Sequence, residues 1–397
     1  MTMIPESLSF AIVAGLPPLT GLYGAFLMGI ITAIIGGRPG MISGGAGATV
    51  IVMIPLILTY GIEYFFAAVA LAGLIQILVG VFRLGKFVRL VPQPVMYGFL
   101  NGLAVVIFMS QLEQFKTGTG IAAQWLQGES LYIMLGLVLV TLLLVHFIPK
   151  ISKALPTTLI AIAIVFALVH GFGIETKTVQ DIASISGSLP PFHIPQIPFS
   201  LETLQIIFPY AAIMAGVGLL ETLLTLTLVD EVTETRGNAN KESVAQGIAN
   251  ITNGFFTGMG GCAMIAQTFV NLNAGARQRL SGVVSALAIL LIILVGAPLI
   301  EKIPMAALVG VMMMVAITTF SWGFFKKMTK MPKSDILVTI VVASITIIFH
   351  NLAYAVLIGI IISALVFAWE SAKRIRARKF VDENGVDRMK EMIKENY

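Results

Sequence analysis

GGRPGMISGGAGATVIV, residues 36–52, and GFFTGMGGCAMIAQTFV, residues 254–270, decide the fold. Each packs Gly and Ala ahead of a short apolar run. Neither run reaches the roughly 20 apolar residues that a membrane-spanning helix needs. A second pair, PQPVMYGFLNGLAVVI (92–107) and EKIPMAALVGVMMMVAI (301–317), places a Pro where a helix opens. Both pairs lie about 210–220 residues apart. Short, Gly-interrupted segments at matching places in two halves of a chain point to an inverted-repeat transporter with its site at the midplane. The alternative is that membrane helices share Gly, Ala and Val simply because these residues pack closely.

The composition agrees with a membrane-embedded chain. Of its 397 residues 57% are hydrophobic and 11% charged, against about a quarter charged in a soluble domain. A signal peptide does not account for this, because apolar runs recur throughout. A single cysteine, Cys262, excludes a disulfide framework or multi-cysteine metal site within the chain. Full-length candidate spans lie near 20–37, 62–83, 94–112, 130–148, 156–172, 206–229, 242–258, 280–300, 304–322, 335–350 and 352–370. Short or incomplete runs lie at 1–16, 46–58 and 262–273. The expected fold is all-α and polytopic, with about fourteen segments in a 7+7 inverted repeat and the first segment truncated.

Charge tests the count. If the chain starts inside, loops after even-numbered segments should be cytoplasmic and basic. They hold Arg38; Arg83, Lys86 and Arg89; Lys150 and Lys153; Arg236 and Lys241; Arg277 and Arg279; Lys326, Lys327, Lys330 and Lys333; and Lys373, Arg374, Arg376, Arg378 and Lys379. The other loops hold only Lys116, Lys177 and Lys302. The net charge of +5 is therefore a topology signal and not a nucleic-acid footprint. This predicts a multi-pass protein of the cytoplasmic (inner) membrane with a cytoplasmic C-terminus. It divides the chain into a first repeat (1–172), an external linker (173–203), a second repeat (204–372) and a tail (373–397).

The two Gly-rich runs are the candidate substrate site. Gly45, Ala46, Gly47, Ala48 and Thr49 open one short helix; Ala263, Met264, Ile265, Ala266, Gln267 and Thr268 open the other. Helix starts carry free N–H groups and a partial positive charge of roughly +0.5 e. Two that meet can hold an anion with no Lys or Arg in either segment. Close packing of the glycines is the competing reading.

Glu221, in GLLETLLTLTL (218–228), is an acid inside a span, and such residues are functional by default. Thr225 shares its helix face, whereas Thr222 and Thr227 are read as pointing elsewhere. Glu221 and Thr225 could hold Na⁺, or the carboxyl could carry a proton. A structural Glu paired to a neighbouring donor is the alternative. Glu6 and Ser7, in MIPESLSF, could reach the same cavity if Pro5 kinks or breaks the first helix. DEVTETRGNANKES (230–243) is read as a loop with a helix start at Asn240, since no second acidic cluster accompanies it. Asn101 is expected to bond a neighbouring helix and Met312, Met313 and Met314 to pack. Histidines 146, 170, 193 and 350 lack metal-ligand spacing and are assigned no chemistry.

At PESLSFAIVAGLPPLTGLYGAF, GGRPGMISGGAGATV, LGKFVRLVPQPVMYGFLNG, ETLLTLTLVDEVT and NAGARQRLSG the chain resembles the SulP anion permeases. That family includes plant and bacterial sulfate transporters and prestin. The resemblance implies core and gate domains, an anion between the third and tenth helices, and an eighth-helix acid, here Glu221, tied to cation coupling. In a bicarbonate-transporting branch an Asp and a Thr four residues later serve Na⁺; Glu221 and Thr225 occupy those positions. Where animal members carry an Arg in the tenth helix, this chain has Gln267, which shifts neutralisation to the helix ends and a co-transported cation. Members usually extend before MIPES and continue into a STAS domain after the tail, and pair as homodimers in full-length form.

The expected activity is cation-coupled (H⁺ or Na⁺) transport of a small inorganic anion, sulfate first and bicarbonate with Na⁺ second, with no cofactor besides the coupling ion. The lipid bilayer is the expected surrounding and no nucleic-acid partner or enzyme activity is expected. Two rivals are a nucleobase permease of the same architecture and a membrane-embedded transferase. CAMIAQTFVN lacks the second carboxylate the first would use, and only DEVTE hints at the second.

Overall fold

The computed structural model describes residues 3–85, 92–117, 124–151, 157–181, 187–349 and 352–374. Lys86, Arg89, Lys153, His350, Arg376, Arg378 and Lys379, part of the linker (182–186) and the tail from 375 lie outside the described residues. The first half comprises α1 (Met3–Val13), α2 (Pro18–Ile35), β1 (Ser43–Gly44), α3 (Gly47–Ile51), α4 (Ile54–Tyr60), α5 (Ile62–Val81), α6 (Gln93–Leu112), a small hairpin of β2 (Lys116–Thr117) and β3 (Gln124–Trp125), α7 (Glu129–Ile151) and α8 (Thr157–Phe172). The second comprises α9 (Leu201–Thr233), α10 (Ala239–Phe255), β4 (Cys262–Ala263), α11 (Ile265–Asn273), α12 (Arg279–Glu301), α13 (Met305–Thr319), α14 (Trp322–Lys327), α15 (Lys333–Phe349) and α16 (Leu352–Arg374).

Every apolar run of the sequence has its helix here. Among the described residues seven helices are long and apolar enough to cross a membrane, beginning with Pro18–Ile35; Met3–Val13, Thr157–Phe172 and Ile358–Trp369 are shorter apolar helices. Three departures from the sequence reading have local causes. α1 runs without a break from Met3 to Val13, so Pro5 does not interrupt it. The third segment breaks into α3 and α4, because Pro55 cannot bond to the carbonyl of Ile51. The eighth segment runs to 33 residues, capped at one end by Ser200, whose Oγ accepts from Thr203 N at 3.1 Å, and stopped at the other by Glu234 at φ +52°.

The helices sort into two packed groups. α1–α5 assemble with α9–α12, and α6–α8 with α13, α15 and α16. Within the first group, α5 and α10 approach at backbone distance. A Cβ on Gly73 would lie 2.5 Å from Gly247 O, and one on Gly247 2.5 Å from Gly73 O. Only glycine permits that crossing. The groups meet along an apolar seam that runs from Phe10 and Met53 to Met312 and Val342. Asn101 bonds a neighbouring segment as expected, its Oδ1 accepting from Ser321 N at 2.7 Å.

Several loop cations double as fasteners. Arg279 donates to the carbonyls of Ala33, Ile34 and Gly36 at the end of α2, and Arg277 to Leu272 O at the end of α11. Unpaired terminal carbonyls favour such donors. Arg38 is buried. It pairs with Asp230 at 3.1 Å and donates to Val229 O, Thr233 and Thr235, tying the loop after α2 to the end of α9. Asp230 also accepts from Gly237 N at 2.9 Å. The DEVTE acid is thus part of a loop fastener, and α10 begins after an Asn238 cap.

Candidate functional site

The two Gly-rich runs come together as a ladder. Ser43 pairs with Ala263 and Gly44 with Cys262, antiparallel. Moving each β1 residue by 219 positions, from 43 to 262 and from 44 to 263, exchanges the strands, so the ladder carries a local two-fold relation between the halves. Gly261 must be glycine, because a Cβ there would lie 1.9 Å from Gly44 O. Because the strands are antiparallel, the helices that follow them, α3 and α11, leave at opposite ends. Their N-caps, Ala46 and Met264, are extended and offer no side-chain cap. First-turn N–H groups have no partner inside a helix, so both starts keep donors for a ligand.

The two starts differ in access. Gly45, Ala46, Gly47, Ala48 and Thr49 are all buried. The Phe10 ring covers Gly47 and the Met259 side chain covers Gly45: a Cβ at Gly47 would lie 2.1 Å from the ring, one at Gly45 2.3 Å from the Met259 methyl. Thr49 Oγ1 turns back to Ala46 O at 2.8 Å. At the other start Ala263 and Met264 are buried, Ile265 is half-buried and Ala266 is exposed, so the first turn of α11 borders open space.

Most polar candidates are engaged. Gln267 donates to Glu6 Oε2, which joins α1 to α11. Ser7 is fully buried, and its Oγ has no hydrogen-bond partner among the described residues. Thr268, expected as a ligand handle, holds the ladder instead: its Oγ1 accepts from Ile42 N at 3.0 Å. Glu221 reaches β4, where its Oε2 accepts from Cys262 Sγ at 3.2 Å. Thr225 shares its face, and its hydroxyl donates to Glu221 O at 2.7 Å, leaving the oxygen lone pairs to accept. One reading of α9 is overturned: Thr222 does not point away. It is fully buried, and its Oγ1 accepts from Ala263 N at 3.1 Å.

Behind the ladder lies a polar stripe on α10 that the sequence reading passed over. Gln246 donates to Ser43 Oγ at 2.7 Å and to Glu242 Oε1 at 2.9 Å. Asn250 clamps Gly261 from both sides, accepting from its N–H at 2.9 Å and donating to its carbonyl at 3.0 Å; it also donates to Gln76 Oε1 at 2.8 Å. Glu242 accepts from the amides of Gly37 and Arg38. Glu242, Gln246, Asn250 and Asn253 recur at helical spacing. That spacing within an otherwise small-residue helix was the available signal.

The arrangement is a cradle of backbone dipoles with two carboxyls beside it. It can hold a small anion by amide N–H groups and make that binding sensitive to a cation on the acids.

Residues 1–342 match the sequence model described as the Sulfate permease family. The chain is 43% identical over 373 residues to the Bacillus subtilis protein named "Putative sulfate transporter YbaR", covering 94% of this chain and 76% of that protein. It is 30% identical to the bicarbonate transporter BicA of Picosynechococcus sp., covering 91% of this chain and 67% of that protein. Among solved structures, the transmembrane domain of a cyanobacterial BicA superposes with a TM-score of 0.75 at 28% identity, over 91% of this chain and 93% of that one. Murine Slc26a9, in its inward-facing state, shares the fold with a TM-score of 0.77 at 17% identity, over 93% of this chain and 66% of that one. These neighbours carry the inverted-repeat fold. The chain belongs to the sulfate permease family of membrane anion transporters.

Proposed function

We propose that this protein is a cation-coupled importer of sulfate in the cytoplasmic membrane, with the anion held between the starts of α3 and α11 and the coupling cation at Glu221. The observation that carries the reading is the ladder itself: two uncapped helix starts joined by β1 and β4, with Glu221 bonded to β4. Amide dipoles favour an anion there. The carboxyls of Glu221, at β4, and Glu6, on Gln267, oppose one unless a proton or Na⁺ neutralises them. Anion binding is then conditional on the cation. Sulfate is placed first because the 43%-identical relative bears that substrate in its name. Alternating access would come from the first helix group moving along the apolar seam against the second, with the C-terminus cytoplasmic and two copies pairing.

A second reading, Na⁺-coupled bicarbonate transport, has its own support. Thr225 keeps acceptor lone pairs one turn from Glu221, and the superposing BicA domain is named for bicarbonate. Uptake of labelled sulfate and of labelled bicarbonate into proteoliposomes, with pH and Na⁺ gradients imposed separately, decides between them. Sulfate accumulation driven by one gradient supports the first reading. Bicarbonate accumulation driven only by Na⁺ replaces it with the second.

A further inference from the structure

A large cavity lies away from the ladder. It lies at the linker end of the first helix group, between α5, the end of α10 and the start of α9, and has a volume of about 650 Å³. Small-molecule pockets run to roughly 300–1,000 Å³ and are mostly apolar. Here the walls are almost wholly apolar: Ala67, Ala70 and Leu71 of α5, Ile251 and Phe255 of α10, and Leu204 of α9. None of these residues belongs to the transport machinery described above.

The roof is the strap IPQIPFS, residues 194–200. It is held in place. His193 Nε2 contacts Glu63 Oε2 at 2.8 Å, Gln196 N donates to the same oxygen at 2.7 Å, and His193 N donates to Phe255 O at 2.7 Å. Two tight turns follow, Ile197 N to Pro195 O and Ser200 N to Pro198 O, each 3.0 Å. Ser200 then caps α9. The backbone amides of the strap are thus tied to the protein and to its own turns, Ile197 and Pro198 line the cavity, and Phe199 stands exposed at its rim. A cavity with a fixed roof is preformed, so filling it needs little ordering of the protein.

The mouth decides the occupant. It opens beside Leu74, Leu201 and Leu204, all exposed, and these continue into the exposed apolar side chains Leu78 and Phe208 of the same helices. In a membrane protein that surface meets hydrocarbon, so the cavity is continuous with the bilayer and not with water. We propose that this cavity is a binding site for one acyl chain of a membrane phospholipid, with the 194–200 strap as its roof. Each methylene that leaves the bilayer gains no hydrophobic free energy; retention comes from the close apolar walls.

The test uses the whole protein in vesicles of phosphatidylcholine containing phosphatidylcholine with a diazirine-bearing acyl chain. After illumination, labelled residues are mapped by peptide mass spectrometry. Two variants accompany the wild type: Ala67→Phe, which fills the inner wall, and Leu204→Trp, which narrows the mouth at an exposed and tolerant position. Label on the inner wall, at Ala70 or Ile251, is expected in the wild type and should fall at least five-fold in a folded variant. Label on the outward face of α12, at Leu287 and Leu291, should stay constant as the lipid-facing reference. Label on α12 with none on the inner wall overturns the proposal. So does inner-wall label unchanged by both variants.

Discussion

Thr222 shows how much one hydroxyl can decide at this site. Its oxygen is the acceptor for Ala263 N–H in the β1–β4 ladder. Thr222→Val keeps the shape and leaves that buried amide unpaired, a cost of about 1–3 kcal/mol. The expected result is a KM for the transported anion raised several-fold with Vmax less affected, measured by initial uptake rates in proteoliposomes. Thr227, five residues on along the same helix, is exposed and bonds its own helix at Leu223 O. Thr227→Val should leave KM unchanged, which makes it the control. Periodicity placed both threonines on α9, but a hydroxyl's partner comes from another part of the chain. That is why the partner of Thr222 is not legible from periodicity, whereas an acid inside a span marks Glu221 from the sequence alone.

Among the elements, the α5–α10 crossing and the Arg38 fastener bear most on the site. Gly247 faces Gly73 O at a distance no Cβ can occupy. Gly247→Val forces the helices apart and carries the Asn250 clamp away from Gly261. Overpacking of this kind costs about 1–3 kcal/mol or more. A lowered melting temperature in detergent, together with weakened anion binding, is the expected outcome. At the other end of α10's neighbours, Asp230→Asn leaves Arg38, with 6% side-chain exposure, without its carboxylate. Removing one partner of a buried pair costs up to about 3–5 kcal/mol, and less here because Asp230 is partly exposed. Asp230→Asn should therefore lower the melting temperature more than Glu231→Gln, one residue on and exposed. The helices themselves were legible in the sequence because an apolar run in a membrane has few alternatives to a helix. The break at Pro55 and the extension of α9 by its Ser200 cap depend on single residues at the ends, which hydropathy averages away.

Across the whole molecule, the matched Gly-rich runs and the alternation of basic loops were enough to indicate the repeat architecture. They could not give the sorting of helices into two groups, because that depends on which faces meet, and these spans are apolar on nearly every face. The polar stripe of α10, from Glu242 to Asn253, marks the face that turns inward. The grouping implies that the ladder, Glu6 and Glu221 move together, since all lie on α1, α3, α9 and α11 or the strands before them. A cross-link within this group should leave uptake intact, whereas one bridging α1 to α13 across the seam should arrest it. Uptake that survives the α1–α13 cross-link would place the motion elsewhere.

Under the proposed coupling, a cation at Glu221 makes anion binding at the ladder conditional. The decisive measurement is uptake by Glu221→Gln in proteoliposomes, with labelled sulfate on one side and imposed pH or Na⁺ gradients. Loss of gradient-driven accumulation, with sulfate–sulfate exchange retained, is the expected result. Accumulation equal to wild type, with the same pH and Na⁺ dependence, would contradict it.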